Sequence, residues 1–163
     1  MLRRAVYPSP VGTIVLISDG IALRGLHLGR MRRSDNGSAV LPGTDEVIEA
    51  VSGQLDEYFA GRRRRFDIDV SLEGTDFQRA VWERVRDIPY GGTTSYGALA
   101  AAMGRPGAAR AVGLANGRNP LPIVVPCHRV LGADGSLTGY GGGLPMKQAL
   151  LDLERRIAAG SRG

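Results

Sequence analysis

The sequence is poor in the residues that most often carry chemistry. Its 163 residues include one cysteine and two histidines, and Lys147 is the only lysine. Cys127 cannot close an internal disulfide, and it fits a reducing compartment. So few cysteines and histidines leave no cluster with metal-ligand spacing, so no metal is expected. No apolar run approaches the roughly 20 residues that a membrane span needs. The start, Met1 to Pro8, is basic, but no apolar segment follows it, so no secretory leader is expected. These absences lead to the expectation of a soluble, cytoplasmic protein.

Hydrophobic residues make up 43% of the chain, enough for a packed core in one domain or two small ones. The net charge is +5, which favours a polyanionic partner. The cations are unevenly placed. Between Pro89 and Leu151 they are Arg105, Arg110, Arg118, Arg129 and Lys147, against the single acid Asp134. Such a stretch suits a phosphate backbone.

The stretch with most chemistry is Ile123 to Val130. Three apolar β-formers, Ile123, Val124 and Val125, lead through Pro126 to Cys127, His128 and Arg129. That pattern predicts a buried strand delivering a thiol to an edge. A thiol is a strong nucleophile only as thiolate, and His128 and Arg129 are candidates to supply the favouring charge. On a strand, neighbouring side chains point to opposite faces, so Cys127 and His128 would cooperate only through a twist or a bridging water. A lone cysteine is equally at home as an inert buried hydrophobe.

In the first half, Thr13 to Ile17 and Ile21 to Leu28 read as a hairpin around the turn pair Asp19-Gly20. Residues 29 to 44 read as a loop. A helix is expected over 45 to 60, with Val47, Val51, Leu55, Tyr58 and Phe59 on its apolar face and Gly61 as its stop. Phe66 to Leu72 alternates apolar and polar residues and predicts a half-buried strand. This half is a small sheet with one helix, and no catalytic set is visible in it. The run Arg62 to Arg65 reads as a solvated connection.

After Glu73-Gly74 the pattern changes. Thr75 and Gln78 have capping-box spacing, and Phe77, Val81, Trp82, Val85 and Ile88 form one apolar face. Ser95 can cap a helix over Tyr96 to Met103. Gly104 to Gly107 connects it to a second helix over Gly107 to Asn116, with Pro106 suited to its first turn. Helix, short turn, helix is the organisation of a helix-turn-helix. The second helix carries small residues that permit close approach to a groove or tight packing, with Arg110 its one long reach. Ser136 to Thr138 reads as a short strand. Thr138 to Gly143 is glycine-rich around Tyr140, but no Gly-Lys-Ser/Thr follows, so a phosphate loop is not indicated. No dinucleotide-type glycine loop follows an early strand either, so no cofactor is expected. A last helix begins at Pro145, with Met146, Ala149, Leu150, Leu153 and Ile157 buried and Glu154 on their flank.

Taken together these motifs resemble the O6-alkylguanine-DNA alkyltransferases. Pro126 to Val130 is similar to that family's acceptor-cysteine signature. Ser95 to Ala100, Ala109 to Gly113, Asn119-Pro120, Gly139 to Gly143 and Leu150 to Glu154 extend the likeness over nearly all of residues 75 to 156. The resemblance implies an α+β fold. Residues 1–72 would be a ribonuclease-H-like sheet-plus-helix domain, and 73–163 a mainly helical winged helix-turn-helix domain. It implies stoichiometric repair of O6-alkylguanine, and less so O4-methylthymine, in double-stranded DNA, after the damaged nucleotide is rotated out. Cys127 would take the alkyl group and act once. His128 would receive the thiol proton through water, and Glu154 would orient His128. Tyr96 would help push the nucleotide out and bond the base. Arg110 would fill the vacated stack, with Ala109 and Gly113 beside it in the minor groove. Asn119 would brace the turn by the site, the Val130 carbonyl would meet the base, and Tyr140, Gly141 and Gly142 would wall its pocket. A monomer in solution, with cooperative binding along DNA left open, is the implied state.

Lesion recognition without repair gives no reason for Cys127, and a DNA-binding regulator gives none for Cys127, His128 and Glu154 together. The adjacent Cys-His order disfavours a thiol hydrolase. The zinc that some relatives carry in the first half is not expected here, since the only cysteine is Cys127.

Overall fold

The structure is a computed structural model and describes residues 2–29, 40–135, 140 and 143–160. The chain divides into two compact units, Met1–Glu73 and Gly74–Gly163.

The first unit is a four-stranded sheet with one helix. Its strands are β1 (Leu2–Ser9), β2 (Gly12–Ser18), β3 (Leu23–Leu28) and β4 (Val40–Pro42), in spatial order β3-β2-β1-β4. β2 pairs antiparallel with both β1 and β3, and β4 joins β1 in parallel. β1 is absent from the sequence expectation; its three basic and proline residues disguise a segment that pairs with β2 from Arg3 to Ser9. The hairpin turn spans four residues rather than two. Asp19 Oδ1 accepts the Ile21 and Ala22 N–H groups at 2.8 Å each, which closes the loop without a two-residue turn.

The helix α1 (Glu46–Phe59) is capped by Asp45, whose carboxylate accepts the Ile48 N–H at 2.8 Å. Its buried face is Ile48, Val51, Leu55 and Tyr58; Val47 and Phe59 are only half-buried. The Phe66–Leu72 strand is corrected. The alternation of burial is there, but pairing with β3 reduces to one bridge, Leu23 with Val70. Gln54 supplies what a strand partner would, bonding both the N–H and the carbonyl of Asp67 at 2.9 Å.

The second unit holds α2 (Asp76–Arg86), β5 (Thr94–Ser95), α3 (Tyr96–Ala102), α4 (Ala109–Gly117), β6 (Val130–Leu131) and α5 (Leu144–Gly160). The capping box forms: Thr75 Oγ1 accepts the Gln78 N–H, and Gln78 Oε1 accepts the Thr75 N–H. Trp82 is buried and donates from its indole nitrogen to the Ala115 carbonyl at 2.8 Å, tying α2 to α4. Its ring runs so close to Gly74 that a Cβ there would sit 2.5 Å from Cη2, so the junction residue must be glycine. Ser95 caps α3 by accepting the Ala98 N–H at 3.0 Å.

α3 and α4 form the helix-turn-helix pair, with a correction to its start. α4 begins at Ala109, and Pro106 lies in the preceding turn, where the Ala108 N–H bonds the Arg105 carbonyl at 2.9 Å. β5 and β6 pair in parallel, Thr94 with Val130 and Ser95 with Leu131. The expected strand over Ser136 to Thr138, and Gly141 and Gly142, lie outside the described residues.

Candidate active site

Cys127 is not on a strand. Ile123 to Val125 form a turn instead, with the Val125 N–H donating to the Leu121 carbonyl at 2.8 Å and Ile123 at φ 75. A β-branched residue rarely adopts that conformation, so the turn is strained and must be held. Asn119 holds it: its Oδ1 accepts the Leu121 N–H at 2.9 Å and its Nδ2 donates to the Val125 carbonyl at 2.7 Å. Pro126, at φ −80 and ψ 65, then makes an inverse γ-turn, in which the Cys127 N–H reaches the Val125 carbonyl at 2.7 Å. Cys127–Arg129 follow as one turn of 3-10 helix. A run of β-formers cannot announce this, because proline and asparagine side chains outside the run decide it.

In a 3-10 turn neighbouring side chains diverge by roughly 120°. Cys127 and His128 therefore still face different ways, for a reason other than strand alternation. Asn116, buried on α4, donates from Nδ2 to the Cys127 carbonyl at 3.2 Å. One asparagine, Asn116, thus holds the cysteine backbone and another, Asn119, holds the turn before it; only Asn119 stands out in the sequence.

His128 and Glu154 are both wholly buried, and His128 Nε2 lies 2.6 Å from Glu154 Oε2. Glu154 is at the centre of the buried face of α5, not on its flank. That face is Lys147, Leu150, Leu151 and Glu154, while Met146, Ala149, Leu153 and Ile157 are half-buried. The apolar pattern placed the stripe about one residue off, because two of its four members are charged. Charged residues seven apart around a Leu-Leu pair were the available signal.

Arg129 and Lys147 are buried as well, which corrects their assignment to a phosphate backbone. Arg129 donates to Glu154 from Nε at 2.7 Å and Nη2 at 2.9 Å, and from Nη1 to the Ile88 carbonyl at 2.8 Å. Lys147 Nζ donates to the Val130 carbonyl at 2.8 Å. The exposed cations of this stretch include Arg105, Arg110 and Arg118.

The electrostatics follow from burial. Desolvation pushes the Cys127 thiol up to about 11, while a hydrogen bond from Asn119, the charge of Lys147 and nearby backbone N–H groups work the other way. The cation beside the sulfur is thus Lys147 rather than His128 or Arg129, which are committed to Glu154. Burial alone would raise the Glu154 carboxyl, but hydrogen bonds and charge from His128 and Arg129 together hold it well below the usual carboxylate range. His128 is lowered, first by burial and then by Arg129 and Lys147, against the pull of Glu154. A neutral ring bonded to a carboxylate carries its proton on Nε2, so Nδ1 presents a lone pair. Nδ1 is buried and has no hydrogen-bond partner among the described residues. The Tyr140 hydroxyl is also buried without a partner among the described residues; burial raises its pKa, and the negative charges of Cys127 and Glu154 raise it further.

The fold therefore brings Cys127, His128, Glu154, Asn119, Val130 and Tyr140 into one cluster. Arg110 lies on the exposed side of α4, with Ala109 half-buried beside it. Tyr96 stands at the start of α3 against Gly113, where a Cβ would meet its ring at 3.6 Å. Among the described residues no group of three His, Cys, Asp or Glu could hold a metal. No helix among them is long and apolar enough to cross a membrane.

Two family descriptions match the chain. Residues 76–156 match "6-O-methylguanine DNA methyltransferase, DNA binding domain", and residues 2–72 match that family's "ribonuclease-like domain". The methylated-DNA–protein-cysteine methyltransferase of Mycobacterium bovis is 48% identical over 158 residues, covering 97% of this chain and 95% of its own length. The crystal structure of the Mycobacterium tuberculosis O6-methylguanine methyltransferase superposes with a TM-score of 0.87 at 46% identity, over 96% of this chain and 94% of the other. The Mycobacterium tuberculosis protein OGT in complex with DNA superposes at 0.84 and 47% identity, over 96% and 93%.

Proposed function

This chain belongs to the 6-O-methylguanine DNA methyltransferase family, and we propose from that premise that Cys127 is the residue that takes the alkyl group. The activity is that of a methylated-DNA–protein-cysteine methyltransferase, a DNA-repair transferase. The observation that carries the assignment is that the chain's only cysteine is followed by a buried imidazole whose Nε2 is held by Glu154 and whose Nδ1 has no hydrogen-bond partner among the described residues.

The step is an in-line displacement. The Cys127 proton passes through water to His128 Nδ1. The sulfur pair attacks the alkyl carbon, the carbon–O6 bond breaks, and its electrons return to the guanine ring. The proton held by His128 is then delivered to the base, so the products are a thioether and unmodified guanine. The strong carbon–sulfur bond has no leaving path, so each molecule acts once. With the thiol pushed up to about 11, the free protein is poised with a protonated, unreactive sulfur. Removing that proton through His128, beside the Lys147 charge, is what makes the nucleophile.

The alkylated oxygen is not accessible to a buried thiol while the base is stacked, so the nucleotide must be extruded. DNA is the partner, approached through α4. Arg110, exposed on that helix, fills the vacated stack, while Ala109 and Gly113 allow close approach to the minor groove. Tyr96 assists extrusion and meets the base. Tyr140 walls the pocket. The Val130 carbonyl, already bonded to Lys147, keeps a second lone pair for the base amine. A thiol that must stay reduced and a DNA substrate fit a cytoplasmic compartment.

The deciding experiment is intact mass after incubation with DNA containing O6-methylguanine. One methyl is gained per molecule, on Cys127, and Cys127→Ser abolishes the gain while retaining DNA binding. An unshifted mass for folded protein that still binds the lesion would favour recognition without repair.

A further inference from the structure

Both oxygens of the Glu154 carboxylate are engaged. Oε1 accepts from Arg129 Nε at 2.7 Å and from the Gly91 N–H at 3.3 Å, and Oε2 accepts from Arg129 Nη2 at 2.9 Å and His128 Nε2 at 2.6 Å. We propose that Arg129 is a positioning residue: by matching the charge of Glu154 side-on, it keeps His128 a neutral imidazole with its proton on Nε2 and a lone pair on Nδ1. The proposal rests on the reading of His128 as the proton acceptor and adds what keeps it able to accept.

An ionised carboxylate only accepts hydrogen bonds, so the 2.6 Å contact requires a proton on Nε2. Whether Nδ1 also carries one is decided by the surrounding charges. The groups facing this cluster are Glu154 and Lys147 from α5, Arg129 and Cys127 from its own turn, and Tyr140 from the segment before α5. Alone beside the ring, a buried carboxylate would favour the imidazolium as its ion-pair partner. With Arg129 in place that carboxylate is already matched. A second proton on the ring would then put an unmatched cation beside Lys147 in a closed site. Burial, and next the Arg129 charge, act in this direction on His128 against Glu154.

The fork is needed, not only the charge. A guanidinium spans both carboxylate oxygens in one plane, which an ammonium cannot do. Its third arm, Nη1 on the Ile88 carbonyl at 2.8 Å, fixes that plane, and the Tyr90 ring lies 5.6 Å from the guanidinium carbon. An imidazolium at His128 could not take the thiol proton, so Arg129 would govern the rate without touching substrate.

Two measurements test this. The first is the nitrogen-15 NMR spectrum of the His128 ring in the unaltered protein. The second is the pH profile of transfer from free O6-benzylguanine, which leaves DNA binding aside, for wild type, Arg129→Lys and Arg129→Met. Wild type should show the neutral Nε2–H tautomer across about pH 6 to 8, the range in which an ordinary histidine titrates. In Arg129→Met the acid limb should move up by about one pH unit, a roughly tenfold loss at the acid end, with a smaller shift in Arg129→Lys. A merely structural role would lower the rate at every pH alike. An imidazolium in wild type at neutral pH, or a folded Arg129→Met protein whose acid limb stays in place, would overturn the proposal. If Arg129→Met does not fold, the wild-type spectrum and Arg129→Lys decide. Should His128→Ala keep full activity, the proton-acceptor reading fails, while the wild-type spectrum still reports what Arg129 does to the ring.

Discussion

Lys147 Nζ donates to the Val130 carbonyl at 2.8 Å, and no part of Lys147 reaches solvent. The chain's only lysine is thus spent inside the protein, on the residue that ends the Cys127–Arg129 turn. Burial lowers its affinity for a proton, and the Cys127 thiolate raises it again. Each group therefore supports the charged form of the other.

Lys147→Met keeps the length of the side chain and removes the charge. Thiolate formation should become harder, so the midpoint for alkylation of Cys127 by iodoacetamide should rise beyond about 11. Methyl transfer at neutral pH should fall by about tenfold, equivalent to one unit of pKa. The Val130 carbonyl loses a donor, so thermal stability should also drop by about 1–3 kcal/mol. A rate unchanged in a protein of lowered stability would remove Lys147 from the chemistry and leave it a structural residue.

The raised Cys127 pKa has its own signature in stability. An unfolded cysteine ionises near 9.0 and the folded one near about 11. Below the first value both states hold the proton and the stability is fully present. Between the two values the unfolded chain loses its proton first, so stability falls as pH rises. The sulfur is buried, and the loss should be on the order of 2–3 kcal/mol. Denaturant melts of wild type and Cys127→Ala across this window should differ in slope. Parallel curves would mean that the thiol ionises as easily folded as unfolded.

Glu154 behaves oppositely. Its folded carboxyl is held low, so its contribution is present above the unfolded value, 4.5, and is lost as pH falls below it. Glu154→Gln removes that contribution and leaves Arg129 buried without its anion, which should cost about 3–5 kcal/mol. Acid unfolding of the variant should be flatter below the carboxylate range than that of wild type. Methyl transfer should also fall at neutral pH, since His128 loses the charged acceptor that holds its proton on Nε2.

How legible these features were depends on what each residue answers to. Caps answer to their own neighbours, so Thr75, Gln78 and Ser95 take the positions that their spacing predicts. Cys127 and His128 stand out from the residues alone, the only cysteine beside one of two histidines, while Glu154 takes its role from the resemblance to the family. The strand expected ahead of Cys127 failed because β-propensity is a weak local preference. Asn119 and Asn116 override it with specific hydrogen bonds from outside the run, and Pro126 with its fixed φ. Arg129 and Lys147 were read as surface charge because arginine and lysine almost always are. Only the partner carboxylate and carbonyl, far along the chain, make their burial possible. β1 is not legible because Arg3, Arg4 and Pro8 interrupt the apolar alternation of a segment that only its pairing with β2 makes a strand.

Arg110 is the sharpest test of the DNA-facing assignment of α4. It is exposed, and Ala111 and Leu114 are exposed along the same side of the helix. Removing its side chain should change folding stability by no more than about 0.5 kcal/mol, the range for surface positions. Arg110→Ala should then leave transfer from free O6-benzylguanine intact, because that substrate needs no extrusion. Repair of O6-methylguanine within a duplex should fall by about tenfold or more, since an emptied stack refills with the damaged base unless something occupies it. The loss should shrink on single-stranded DNA, where there is less stacking to replace. Single-turnover rates on the three substrates decide the matter. Equal losses on free base and duplex would mean that Arg110 acts on the pocket, and equal losses on single and double strands would reduce it to a phosphate contact.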